Sequence, residues 1–142
     1  MGVIAFNSKL GISTEGALCV RLTNRTGGNS VQGEAVIADA ANDNSFAQAG
    51  IGAVNPLGAV YEAGIANGAE CWVQVAGIVM GLVSTDGAAV RGNWVGMSTT
   101  QAGRFDMSQG SPPAAPTHFN ECGHCLESKA SGQLAKFVMH FN

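Results

Sequence analysis

The segment Cys122-Gly123-His124-Cys125 carries the residue types most capable of chemistry in this chain. Two thiolates separated by two residues can bind one tetrahedral zinc ion, and two histidine imidazoles could complete its coordination shell. However, the chain contains a single Cys-x-x-Cys pair, whereas a structural zinc site usually has a second one. In a regular strand, Cys122 and His124 would share one face and Cys125 would point to the other. We therefore expect the thiols to pack in a core. The alternative metal-binding set is Cys122, Cys125, His118 and His140.

Enzymatic signatures are absent from the sequence. A redox role for the Cys-x-x-Cys segment would require the start of a helix within a βαβ unit, and no such pattern surrounds it. The chain also lacks Gly-x-Ser-x-Gly, His-Glu-x-x-His and Gly-x-x-x-x-Gly-Lys. Its acidic residues are scattered, mostly in predicted turns, where solvation explains them. We predict no catalytic residue, no cofactor and no enzymatic activity. A small metal-binding or redox domain that uses Cys122 and Cys125 is the alternative function.

The aromatic residues offer a possible stacking surface for sugars or bases. Trp72 lies in an alternating segment, where it shares one face with Gln74 and Ala76. In a chain this apolar, we expect Trp72 to be buried in a core or against another subunit rather than to bind a ligand.

Charge and hydropathy exclude two classes of partner. The 142 residues include only 12% charged side chains and have a net charge of −3. Without a basic cluster, nothing would displace the counterions of a phosphate backbone, so we expect no nucleic-acid partner. The longest nearly apolar stretch, residues 75–83, is far shorter than the roughly 20 residues of a transmembrane helix, so we expect no membrane partner.

The N-terminal residues lack the apolar run of a signal peptide, and we expect no secretion signal. A reducing compartment and free thiols follow from that expectation. A disulfide between Cys19 and Cys71 stays open as an alternative.

The segments that would position these residues are predicted to be short strands. Strict alternation from Leu18 to Thr23 predicts a half-buried strand with Leu18, Val20 and Leu22 on its buried face. The pair Asn67-Gly68 predicts a tight turn in a hairpin formed by residues 60–65 and 70–75. Gly77 predicts a bend between two abutting strands, residues 71–75 and 78–83, which suggests one strand that turns a barrel corner. No window of 12 residues has a helical period.

These patterns predict an all-β fold, a small antiparallel β-barrel or sandwich with Gly-rich turns, little helix and an extended N-terminal arm. Residues 1–17 are expected to form the arm or a first strand, and residues 18–142 a single β-domain. Natural sheets usually protect their open edges with Lys, Glu and Pro. Because such residues are scarce here, we expect contacts between subunits to cover part of the surface.

Several segments resemble small structural proteins of tailed bacteriophages, in particular the capsid decoration, or cement, proteins. The resemblance covers about residues 18–142 and involves structural strands and turns rather than catalytic signatures. The segments are GAVYEAGIANG (58–68), WVQVAGI (72–78), RGNWV (91–95), GHCLES (123–128) and VMHFN (138–142).

The resemblance implies a β-rich subunit, made in the host cytoplasm, that stabilises the outer surface of an icosahedral phage head as a homotrimer. Its partners would be the major capsid protein and other copies of itself, and it would carry no cofactor. By analogy, the N-terminal residues Val3, Ile4 and Phe6 are candidates for capsid contact. A head fibre or tail component is an alternative within the same class.

Overall fold

The alternating segments of the sequence form β-strands, which confirms the predicted all-β class. The computed structural model describes residues 2–112, 114 and 121–140, and these residues contain no helix and hence none that could cross a membrane. The strands in chain order are β1 (Val3–Ala5), β2 (Leu10–Ser13), β3 (Ala17–Asn24), β4 (Ala35–Ala38), β5 (Ser45–Gln48), β6 (Gly58–Val60), β7 (Glu70–Leu82), β8 (Trp94–Met97), β9 (Phe105–Gln109), β10 (Glu121–Cys125) and β11 (Leu134–Met139). They form one sheet in the order β1-β2-β3-β5-β4-β6-β7-β11-β10-β8-β9, with β3 also paired to β7.

The pairing of β3 with β7 closes a ring of hydrogen-bonded strands. From β3 the ring continues through β5, β4 and β6 to β7, which pairs with β3 from Ala17 opposite Gly77 to Thr23 opposite Glu70. β3 and β5 run parallel, so the sheet is mixed where the sequence predicts an antiparallel arrangement. Ring closure leaves these five strands without the free edges that invite association.

Two apolar clusters form the core. The first draws on every strand of the ring, with Val20 and Leu22 of β3 packed against its fully buried members. The second centres on β7 to β11, where the rings of Phe105 and Phe137 lie 5.0 Å apart between centroids. The fully buried members of the first cluster are Val36, Phe46, Val60, Cys71 and Val73.

β7 belongs to both clusters because its two faces contact different clusters, with Trp72 in the second and Val73 in the first. The sequence predicts that the two abutting segments on either side of Gly77 belong to a strand that bends there. The structure has one strand of thirteen residues, with Gly77 at a positive φ of 79°, which confirms this prediction. The buried side chain of Gln74 holds the bend, since its Oε1 accepts the Met80 N–H at 2.9 Å and its Nε2 donates to the Met80 carbonyl at 3.1 Å.

The turn predicted at Asn67-Gly68 is confirmed, since Gly68 has a positive φ of 90°, but the hairpin is only partly as predicted. β6 pairs antiparallel with β7, with Val60 opposite Val73. However, β6 ends at Val60, and residues 61–69 form a longer connection in place of the predicted strand over residues 60–65. Residues of the N-terminal segment, expected as an arm or a first strand, form the hairpin β1–β2, which joins the sheet beside β3.

The predicted buried face of β3 is wrong at its first residue. Val20 and Leu22 pack against the core, but Leu18 is exposed and Cys19 is fully buried. The alternation of β3 itself is kept, because Cys19 lies in the second cluster whereas Val20 and Leu22 pack against the first. The register irregularity beside Leu18 places the extra residue, Val75, on β7.

Candidate interaction surface

The N-terminal hairpin is formed by a turn that its own sequence stabilises. Asn7 accepts hydrogen bonds through its side-chain oxygen from the backbone N–H groups of Lys9 and Leu10, at 2.8 and 2.9 Å. Asn favours turns because its side chain can satisfy nearby backbone donors. The Phe6 N–H donates to the Leu10 carbonyl and closes the hairpin. Phe6 therefore lies at the tip, where its side chain is 60% exposed.

The base of the hairpin is attached to the core. Val3 packs against the second apolar cluster. The Tyr61 hydroxyl lies 3.0 Å from the Gly2 carbonyl oxygen and 2.9 Å from the Glu15 carboxylate. Burial alone would raise the pKa of Glu15, but hydrogen bonds led by that from Tyr61 bring this pKa below its ordinary value. Of the three residues predicted for capsid contact, Val3 thus faces inward, whereas Ile4 and Phe6 project outward.

An apolar row crosses the outer face of β1, β2 and β3. Ile4 pairs with Ile12, and Ile12 pairs in turn with Leu18, so their side chains lie side by side on one face. Their exposed fractions are 66%, 40% and 37%. Ile12 and Leu18 are the two members that the sequence analysis missed. Apolar residues at alternate positions of Leu10-Gly11-Ile12-Ser13 could have indicated the first. The second was assigned to a buried face with Val20 and Leu22, and the sequence contains no signal of its exposure.

β1 also presents an open strand edge. It lies at one end of the strand order and pairs only with β2 among the described strands. Gly2 and Phe6 direct hydrogen bonds towards β2 through Thr14 and Leu10. In an antiparallel pair, alternate residues point their backbone groups away from the partner strand, so those of Val3 and Ala5 face outward. β1 contains no Lys, Glu or Pro that would discourage pairing with another strand.

Other exposed apolar side chains do not extend this row. Ile51 and Val54, each 60% exposed, lie in the loop between β5 and β6, and Val90 and Leu126 lie in loops beside the second cluster. The described part of the chain contains no ligand-sized pocket. The hairpin is accordingly the surface that combines a strand edge, an apolar row and an exposed aromatic side chain.

The cysteines of the alternative metal site lie inside the second cluster. Cys122 and Cys125 are 0% and 2% exposed, and their thiols donate to the carbonyls of Val95, at 3.6 Å, and Glu127, at 3.0 Å. The prediction that Cys122 and Cys125 point to opposite faces is wrong. A bulge between Glu121 and Gly123, where β10 pairs with β8, places both thiols in the core and His124 on the outer face.

Burial makes these thiols poor metal ligands and poor nucleophiles. It raises the pKa of Cys122 far above its ordinary value, raises that of Cys125, and raises those of Cys19 and Cys71 to about 11. Metal binding and redox chemistry both use the thiolate form. All four cysteines are free. Among the described residues, no three His, Cys, Asp or Glu side chains are grouped to hold a metal ion; His118 lies outside those residues.

The remaining residues considered for chemistry have structural roles. Trp72 is buried, as predicted, and the Arg21 guanidinium lies 5.1 Å from the centre of its ring. Asp86 is more than a solvated turn residue, because its carboxylate accepts hydrogen bonds from the hydroxyls of Ser84, Ser98 and Thr100. Burial would raise the pKa of Asp86, but these hydrogen bonds lower it overall. Asp86 thereby connects the turn after β7 to the turn after β8.

Comparisons with known proteins leave the family open. No family model matches the chain, and no curated protein matches it.

Proposed function

We propose that this protein is a structural virion protein without enzymatic activity, which decorates and stabilises the outer surface of an icosahedral phage head as a homotrimer. The observation that carries the proposal is the N-terminal hairpin, with its open β1 edge and its exposed row of Ile4, Ile12 and Leu18. Exposed apolar patches of this kind are typical of interaction sites. The sequence resemblance to cement proteins specifies the partner as the major capsid protein.

The chemistry of the hairpin suits attachment through a strand. An extended segment of the capsid protein could pair with the outward backbone groups of Val3 and Ala5, while its alternate side chains contact the apolar row. Each such contact would involve only the three residues of β1 and the apolar row beside it. A trimer that binds at three points would gain roughly 10²–10⁴ in apparent affinity through avidity, which explains how a short strand could suffice.

The first test measures attachment to heads. Substituting Ile4→Asp should abolish co-sedimentation of the purified protein with undecorated heads of the phage that encodes it, because a charge would interrupt the apolar row. Val31→Asp is the matched control, since Val31 is 47% exposed but lies outside the hairpin. Equal occupancy of heads by the wild type and by Ile4→Asp would refute the role of the hairpin.

The second test measures self-association. Light scattering should give three times the chain mass of 14.4 kDa for the wild type at micromolar concentration. A stable monomer both in solution and on heads would contradict the trimer. Electron microscopy of the virion distinguishes a head-surface protein from a head fibre or tail component, because it shows where in the particle the protein lies.

A further inference from the structure

Two histidine side chains face each other on the outer surface of β10 and β11. His124 Nδ1 and His140 Nε2 are 3.0 Å apart, and the ring centroids are 5.1 Å apart. Both residues are half-buried. The strand of His124, β10, pairs with β11, whereas the apolar row lies on β1, β2 and β3. The two histidines are therefore a separate feature of the molecule.

The strand pairing fixes the positions of both rings. His124 lies opposite Trp94 on β8 and Val138 on β11. His140 follows β11, and its backbone N–H donates to the Cys122 carbonyl at 3.0 Å, which continues the ladder past the end of the strand. The two imidazoles therefore occupy neighbouring positions on adjacent strands, within reach of each other across the diagonal.

Trp94 restricts the orientation of the His124 ring. The centres of the two rings are 4.3 Å apart, at an interplanar angle of 48°. Gly123 makes this arrangement possible, because a Cβ at position 123 would overlap the Val138 carbonyl oxygen. The bulge beside Gly123 then directs His124 outward while the neighbouring thiols stay in the core.

We propose that His124 and His140 together bind a divalent late transition-metal cation of the Ni²⁺ or Cu²⁺ class. Two adjacent ligands about 2.0–2.1 Å from an octahedral or tetragonal ion are separated by about 2.8–3.0 Å. The separation of His124 Nδ1 and His140 Nε2 matches this distance. The lone pairs would have to turn from the line between the two nitrogens towards one ion, and because Trp94 restricts His124, the larger rotation falls to the His140 ring. Water would occupy the remaining coordination positions.

Binding would require a shift of one proton. Without metal, one of the two facing nitrogens carries a hydrogen and donates it to the other. Metal binding needs a lone pair on both, so that proton must leave the facing nitrogen and a proton must occupy the other nitrogen of the same ring. This change of tautomer leaves the charge of that ring as it was. This site goes beyond the proposed attachment function and does not depend on it.

Calorimetric titration with NiCl₂ tests the proposal directly. The wild-type protein should bind one equivalent in a saturable step. His124→Gln and His140→Gln should each weaken binding by about tenfold or more, since even the loss of an outer-shell partner costs that much. The double variant with both substitutions is the control for Ni²⁺ bound elsewhere on the protein and should show no saturable step. Circular dichroism should show that the variants remain folded.

The position of the metal can be tested by fluorescence. Cu²⁺ should quench the emission of Trp94, which contacts His124, more than that of buried Trp72. Trp94→Phe should lose the quenching, whereas Trp72→Phe should retain it. The proposal is overturned if the wild type shows no saturable binding at millimolar Ni²⁺. It is equally overturned if His124→Gln and His140→Gln bind Ni²⁺ as tightly as the wild type does.

Discussion

The closed ring and the N-terminal hairpin place similar side chains in opposite environments. Phe46 in the ring is fully buried, whereas Phe6 at the hairpin tip is 60% exposed. The ring strands satisfy one another's backbone groups, whereas β1 leaves one edge open. The difference indicates a division of roles in which the ring supplies stability and the hairpin supplies a surface for partners. Substitutions in the ring should therefore change the free energy of unfolding, and substitutions in the hairpin should change binding.

The largest expected effect is that of Gly58→Ala, within the ring. A Cβ at position 58 would overlap the carbonyl oxygen of Gln74 on β7, and a backbone atom cannot move aside cheaply. We expect a loss of more than about 4 kcal/mol in the free energy of unfolding, measured by urea denaturation. Gly28→Ala is the control, because no atom lies within 4 Å of an added Cβ there. If Gly58→Ala unfolded at the same urea concentration as the wild type, β6 and β7 would not be packed as described.

The next largest expected effect is the difference in stability between Phe46→Ala and Phe6→Ala. Phe46→Ala should lower the free energy of unfolding by about 3–5 kcal/mol, because it removes a fully buried ring from the first cluster. Phe6→Ala should change it by less than about 0.5 kcal/mol, as is usual for exposed positions. Equal destabilisation by both substitutions, measured by the same denaturation, would contradict the division between ring and hairpin.

The smallest effect is a difference in pH dependence between two glutamates. Burial raises the pKa of Glu34, which precedes β4 of the ring, although the hydrogen bond from Gln48 opposes this. The pKa of Glu15, beside the hairpin, is lowered overall. As pH rises above the ordinary glutamate pKa, the unfolded state ionises before folded Glu34, so Glu34 makes stability fall. Glu15 acts in the opposite sense, because the stability that it supplies is lost as pH falls through its folded pKa.

Thermal unfolding between pH 3 and pH 8 separates these two contributions. Glu34→Gln should reduce the loss of stability on raising the pH towards neutrality, whereas Glu15→Gln should reduce the loss on lowering it below the ordinary glutamate pKa. Both replacements keep the size of the side chain. Identical pH profiles for the two variants would show that the environments of the two carboxyl groups do not differ.

Local alternation allowed much of the fold to be predicted, and its interruptions account for the errors. The class, the turn at Asn67-Gly68 and the bend at Gly77 followed from periodicity and turn residues. β5 was not predicted, because Ser45 and Phe46 are both buried and show no alternation, and because its parallel partner β3 is distant in sequence. Periodicity cannot reveal such a pairing.

The candidate surfaces were predicted only in part, for a related reason. Ile4 and Phe6 project as expected, but Leu18 is exposed. A bulge in β10 placed Cys122 and Cys125 in the same cluster, against the opposite faces that were assigned to them. A bulge depends on pairing with a second strand, which a single segment does not encode. The facing of His124 and His140 depends on the same kind of irregularity, and it became visible only when β10 and β11 were placed side by side.

The position of β7 between the two apolar clusters has a consequence for how the chain folds and unfolds. This one strand contributes side chains to both apolar clusters. Unfolding of either cluster would therefore displace β7 and disrupt the other cluster as well. Heating should therefore produce one cooperative transition rather than two. β7 also pairs with β3, about fifty residues earlier in the chain, and with β11, a similar distance later. Pairings between segments so distant in sequence make folding slow.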